Sequence, residues 1–345
     1  MFTKLLLRYL VNWLAVLAAA LFMGTVLYAG TTYSFKTVNN PGDPNFNQLL
    51  GISNSGEIVG YFGDGTVLPN KGFTTVPPYT SFTNENFPGS VQTQVVGINN
   101  NSTPVTVGFW IDGSANNFGF VDQNGSFTSV KDPNTPTSTP TTNQLLGVNN
   151  GDIAVGFYND STGAAHAYSY NIASKSFTAI TLPSSFGATS TTATGINNAG
   201  VISGFYTNAA GIHGFLDKNG TFFSLDDPSG TNTMFFGLNN KNQAVGSFVN
   251  GSGLTNGLIY NWVTNMWQTV TDPNQSSSTT PAFGVTGTTI NGINDLGQLV
   301  GFYSDGTHVN GTVATPTPEP ASVMLMGLGA ILVGVVRLRK TRRAG

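Results

Sequence analysis

The chain contains no cysteine, which excludes disulfide staples and thiolate chemistry and says nothing about compartment. Charge is scarce as well: Asp, Glu, Lys and Arg together make up 8% of the residues. Between Arg8 and Arg337 there is no arginine, so the bidentate clamp suited to carboxylates and phosphates is missing. Residues 31–313 hold six lysines against fifteen acidic residues, a net charge of about −9. A nucleic-acid partner needs a basic footprint, and none is expected. No P-loop, nucleophile elbow or metalloprotease motif occurs. A long helical pattern is also lacking outside the two ends.

What fills the interior is one phrase repeated six times. Its clearest copy is GINNAGVISGFY, residues 195–206, and the copies start at 51, 97, 147, 195, 237 and 292, spaced 46, 50, 48, 42 and 55. A period of this size marks a repeat architecture. Each phrase reads as a strand, a tight Asn- and Gly-rich turn, and a second strand. The second Gly (Gly60, Gly108, Gly156, Gly204, Gly246, Gly301) implies a bulge or a close backbone approach. The aromatic two residues further on (Phe62, Trp110, Tyr158, Tyr206, Phe248, Tyr303) is expected to pack between sheets.

Two more strands complete a unit, as in HGFLD at His213 and TFFSLDDP at Thr221, with Asn-Gly turns between them. Four antiparallel strands per unit is the arithmetic of a propeller blade. The expectation is an all-β, six-bladed propeller over residues 31–313. The sixth repeat has no fourth strand of its own, while residues 33–39 match the fourth-strand phrase and its Asp-Pro ending at Asp43-Pro44. Residues 33–39 should therefore complete the last blade, which leaves no open sheet edge.

The ends have a different character. Residues 1–29 carry Lys4 and Arg8 ahead of an apolar core and read as a secretory signal peptide. Residues 314–320 are a Pro-rich linker, and residues 321–345 are a short apolar helix followed by a basic tail. The basic cluster would stay on the cytoplasmic side of the inner membrane. Pro318-Glu319-Pro320, the helix and the Arg-rich tail together resemble the PEP-CTERM sorting signal of Gram-negative bacteria. That resemblance implies export, transient contact with the inner membrane through the C-terminal helix, and cutting near the motif by an exosortase. It also implies a mature protein at the cell surface or outside the cell, in the company of exopolysaccharide. The alternative is a plain C-terminal anchor. His166-Ala167-Tyr168 and His213-Gly214-Phe215, each following the Gly-Asn phrase, resemble the extracellular HAF repeats, a family that brings no function with it.

In a four-stranded meander the first and third turns share one face, and the long variable loops share the other. Loops on a rigid frame are where ligands usually bind. Acidic residues gather there, and Asp64, Asp112, Asp132, Asp160, Asp226, Asp227, Asp272 and Asp305 are the binding candidates. A negative face suits Ca²⁺, although no spaced Asp-x-Asp loop exists, and simple turn chemistry accounts for Asp before Pro or Gly. No cofactor is expected. His166, His213 and His308 hold equivalent blade positions and read as structural. The expected function is a non-catalytic surface or matrix protein binding glycan or another envelope component through its loop face. The alternative is an exported polysaccharide hydrolase or lyase. A deep axial pocket holding two carboxylates within acid/base reach would favour the enzyme.

Overall fold

The computed structural model describes residues 31–317, and among these there are 24 strands in six four-stranded antiparallel sheets. The fourth sheet shows the unit plainly, with strands Ser190–Ile196, Val201–Asn208, Gly211–Lys218 and Thr221–Leu225 in meander order. Its first hairpin needs one residue in the left-handed region, supplied by Gly200 at φ 77. Gly56, Asp152, Asn242 and Gly297 fill the same place in other blades, all of them residue types that tolerate it. Between third and fourth strands, Asn124-Gly125 and Asn219-Gly220 both have positive φ at both residues, the backbone of a two-residue hairpin turn.

The sheets form the expected six-bladed propeller. The innermost strands are Asn47–Ile52, Gln92–Ile98, Asn143–Val148, Ser190–Ile196, Gly230–Leu238 and Thr288–Ile293. Closure follows the strand count: Tyr33–Thr37 pairs antiparallel with Val309–Pro316, Tyr33 opposite Pro316 and Thr37 opposite Thr312. The core lies between blades. Val155 and Ala167 of the third blade, for instance, bury against Ala193, Ile202 and Phe215 of the fourth. Phe215 is fully buried, which contributes roughly 1.5–3 kcal/mol for a side chain of that size.

The two glycines of the phrase are required by space. Each innermost strand has a bulge just before its first Gly, as between Ala193 and Gly195, and there neighbouring blades nearly touch. A Cβ on Gly147 would lie 2.7 Å from the Thr194 carbonyl oxygen and 2.9 Å from Gly195 Cα. One on Gly292 would lie 3.2 Å from Gly51 Cα. The second Gly backs onto the same bulge from inside the blade, so that a Cβ on Gly204 would collide with the Thr192 carbonyl.

The two asparagines explain how the ring holds. Asn197 Oδ1 accepts the N–H groups of Ala199 and Val201, both at 3.0 Å, and so ties its own turn. Its Nδ2 donates to the Asn239 carbonyl at 3.1 Å, in the next blade. The same link runs from Asn99 to Asn149, Asn149 to Asn197, Asn239 to Asn294, and Asn294 to Ser53. A second belt uses the following residue, whose N–H donates to the side-chain oxygen one blade on. It passes Asn54, Asn100, Asn150, Asn198, Asn240 and Asp295, and Asp295 returns to Asn54 at 2.8 Å. This belt is a closed cycle around the turn-side end of the axis.

The helical segments expected at residues 1–29 and 321–345, and the motif Pro318-Glu319-Pro320, lie outside the described residues. Among the described residues no helix is long and apolar enough to cross a membrane.

Candidate functional site

On the loop face the eight aspartates have three placements. Asp64, Asp112, Asp160 and Asp305 open the loops between second and third strands and are held by their own turns. Asp64 Oδ1 accepts the N–H groups of Thr66, Val67 and Leu68 at 3.0, 2.8 and 2.9 Å. The bonds from Leu68 and Thr66 hold its carboxyl down to about 2. Asp112 is lowered chiefly by the Asn116 side chain, and Asp160 is held far below the usual range by Thr162 and His166. At Asp305 burial pushes the other way, and bonds from His308 and Thr307 outweigh it.

Asp132, Asp227 and Asp272 precede prolines in the crossovers between blades and are buried. Each caps the chain two residues on, Asp132 taking the Asn134 N–H at 2.8 Å, Asp227 the Ser229 N–H at 2.8 Å and Asp272 the Asn274 N–H at 2.9 Å. Their own N–H groups bond to Asn143, Thr233 and Thr288 on innermost strands, which anchors these three corners to the ring. Asp226 is half exposed beside His213 at 2.9 Å. The carboxylates are thus spread around the face. No group of three or more acidic or imidazole side chains among the described residues is arranged to hold a cation.

Each histidine is engaged within its own blade. His166 Nε2 lies 2.8 Å from Asp160, His213 Nδ1 2.9 Å from Asp226, and His308 Nδ1 3.1 Å from Asp305. His166 also stacks on Tyr158 and His213 on Tyr206, with centroids 5.2 Å apart in both pairs. The histidine of the His-x-aromatic triplet therefore latches its loop to the strand beside it.

The concave feature reached by all six blades lies on the axis. Behind the bulges the innermost strands enclose a cavity of about 350 Å³. One layer of its wall is Gln48, Gln94, Gln144 and Thr192, from four consecutive blades. The next is Leu50, Val96, Leu146, Thr194, Phe236 and Asn291, one residue from every blade. Phe109, Phe157 and Phe205 of the second strands complete it. No carboxylate, imidazole or ammonium group lines this cavity. Towards the turn face the six glycines of the innermost strands line a smaller space of about 80 Å³.

The carboxamides are fixed in place. Tyr61 Oη donates to Gln48 Oε1 at 2.8 Å, Gln94 Nε2 donates to Asn70 Oδ1 at 2.8 Å, and Gln144 Nε2 donates to Asn117 Oδ1 at 3.3 Å. Asn291 Oδ1 is buried with no hydrogen-bond partner. Two further clefts lie away from the axis. One, of about 540 Å³, runs past Asp132, Tyr158, His166 and Leu182, and another, of about 500 Å³, past Phe62, Lys71 and Phe73.

Sequence reasoning missed the axial wall, though a signal was present. A Gln stands three residues before the first Gly in the first three repeats. The aromatic directly after the second Gly (Tyr61, Phe109, Phe157, Phe205, Phe302) faces the same way as that position, being its cross-strand partner. The aromatic one place further on has the expected packing role in Tyr206, Phe248 and Tyr303, which are buried.

Comparison with known proteins adds a motif. The PEP-CTERM protein-sorting motif matches residues 316–343. No curated protein is similar enough to match the chain. Among solved structures, the six-bladed lectin of Aleuria aurantia is 12% identical, with a TM-score of 0.46 over 85% of this chain and 99% of the lectin. Trypanosoma rangeli sialidase is 10% identical, with a TM-score of 0.48 over 91% of this chain and 62% of the sialidase. TolB from Acinetobacter baumannii is 10% identical, with a TM-score of 0.48 over 76% of this chain and 64% of TolB. None of these likenesses bears on what the chain binds.

Proposed function

We propose that this is an exported protein which an exosortase-type enzyme sorts to the Gram-negative cell surface, and which binds a glycan there without cleaving it. Export and sorting follow from the PEP-CTERM motif at residues 316–343. The binding reading is carried by one observation: a pocket on the axis of a rigid propeller, lined by carboxamides, hydroxyls and aromatic rings and by no acid or base. Hydrolysis or elimination of a glycosidic bond needs a proton donor and a base or nucleophile within reach of one sugar ring. The carboxylates of the loop face are committed to turns, corners and histidine pairs, which leaves the hydrolase or lyase alternative without a pair to use. Those same aspartates keep the loops of this face in fixed positions, and Asp226, half exposed beside His213, is not among the residues lining the cavity.

The test is retention against depolymerisation. Mature protein released from the producing cells is incubated with that organism's own exopolysaccharide, and both co-sedimentation and new reducing ends are measured. Co-sedimentation with no increase in reducing ends is expected. Failure to co-sediment, or a steady rise in reducing ends, would overturn the reading.

A further inference from the structure

We infer that the axial cavity takes the terminal sugar of a glycan chain, that this sugar is uncharged, and that one binds per molecule. The inference rests on the glycan-binding reading above and names the site and the ligand class. Size comes first: about 350 Å³ lies within the range of small-molecule sites, near its lower end. Depth comes next. On the turn side of the same wall layer the glycines of neighbouring blades crowd together, a Cβ on Gly147 falling 2.9 Å from Gly195 Cα, and the space there is about 80 Å³, which favours a chain end over a threaded polymer.

Chemistry sets the class. Gln48, Gln94 and Gln144 each have one amide atom held by a protein partner, which fixes the side chain and leaves the other atom without one. The unpaired set is one donor, Gln48 Nε2, and two acceptors, Gln94 Oε1 and Gln144 Oε1. A sugar hydroxyl is both donor and acceptor, so neighbouring hydroxyls of a pyranose match such a mixed set. The three glutamines come from the first three blades, and Phe236 stands across the axis in the fifth. A ring seated between them has its hydroxyl edge on the amides and a C–H face on the aromatic. Asn291 adds a further carboxamide to the same wall. It stands where the first three blades have Leu50, Val96 and Leu146.

Charge excludes the alternatives. A uronate or phosphate entering the cavity would lose its hydration and meet no Lys, Arg or His in the wall. An amino sugar in its ammonium form would meet no carboxylate.

The full-length protein is titrated, by calorimetry and saturation-transfer NMR, with methyl glycosides of glucose, galactose, mannose, fucose, rhamnose and N-acetylglucosamine, and with methyl glucuronide. At least one neutral glycoside is expected to bind at one per molecule, and the glucuronide at least tenfold more weakly. Gln94→Leu and Gln144→Leu are each expected to weaken that binding at least tenfold, with the melting temperature within a few degrees of wild type. Asn291→Leu, which copies the residue of other blades, is expected to do the same. No binding by any neutral glycoside, or a stoichiometry near six, overturns the proposal. Wild-type affinity in all three folded variants also overturns it, and places the sugar in one of the clefts between blades. Loss of co-sedimentation with exopolysaccharide in the wild type is a different failure, that of the glycan reading itself.

Discussion

Asn197 shows how much a single carboxamide of the repeat phrase does. Two of its bonds tie its own hairpin and the third ties the fourth blade to the fifth, all in a buried setting. Asn198 beside it is exposed, and its side chain accepts one inter-blade bond, from Asn150. Asn197→Ala strands two N–H donors and a carbonyl, so a loss of about 2–4 kcal/mol is expected in chemical denaturation, against about 1 kcal/mol for Asn198→Ala. Equal losses would show that the first belt is not the stronger tie. A second residue carries a pH dependence. Glu85 is buried with the Thr106 hydroxyl donating to it, and burial lifts its carboxyl to about 7; the Thr106 bond opposes that rise, while the charges of Asp122 and Glu57 add to it. A pKa raised on folding gives stability that is complete below the unfolded value near 4.5 and is lost as pH climbs through about 7. The propeller should therefore lose roughly 3 kcal/mol between pH 4.5 and 8 through this group. Glu85→Gln keeps the acceptor for Thr106 and removes the titration. Its melting temperature should exceed that of wild type at pH 8 and approach it at pH 4.5, and parallel curves for the two proteins would refute the assignment.

At the scale of the element, the closing strand is the decisive part. Tyr33–Thr37 contributes the outermost strand of the last blade, and Val38 and Val313 bury in the core shared with Leu49 and Phe73 of the first. Its removal opens a sheet edge and uncovers a wall of the core at once. Deleting residues 31–40 should lower the melting temperature of the whole propeller in one cooperative step. Unchanged melting, with faster amide exchange confined to Val309–Pro316, would mean that the strand is only an appendage. This closure was readable in advance because strands had to be counted in fours. The aspartates were readable only in part. Their place on the loop face follows from the meander, but whether a carboxylate faces solvent or its own turn depends on the local backbone path. At Asp64 three consecutive N–H groups settle that question.

At the scale of the whole molecule, the proposed route to the surface predicts the mature mass. Intact-mass analysis of envelope material should show a species lacking residues 1 to about 29 and those after about Pro320. A full-length species would contradict processing at both ends.

By itself the sequence determined the repeat, the blade count, the closing strand and the sorting motif. Each of these is a matter of spacing along the chain: six phrases, four strands to a unit, one strand missing at one end and supplied at the other. It also pointed to a bulge or close backbone approach at the second Gly of the phrase, while the crowding at the first Gly appeared only in the structure. Only the tertiary structure decided what the phrase is for. The two belts of Asn bonds join residues 42 to 55 positions apart, and Asp295 meets Asn54 across 241, so no local pattern announces them. The axial wall likewise exists only where six strands converge, because its glutamines and phenylalanines lie in separate blades and make one surface only once the ring is closed.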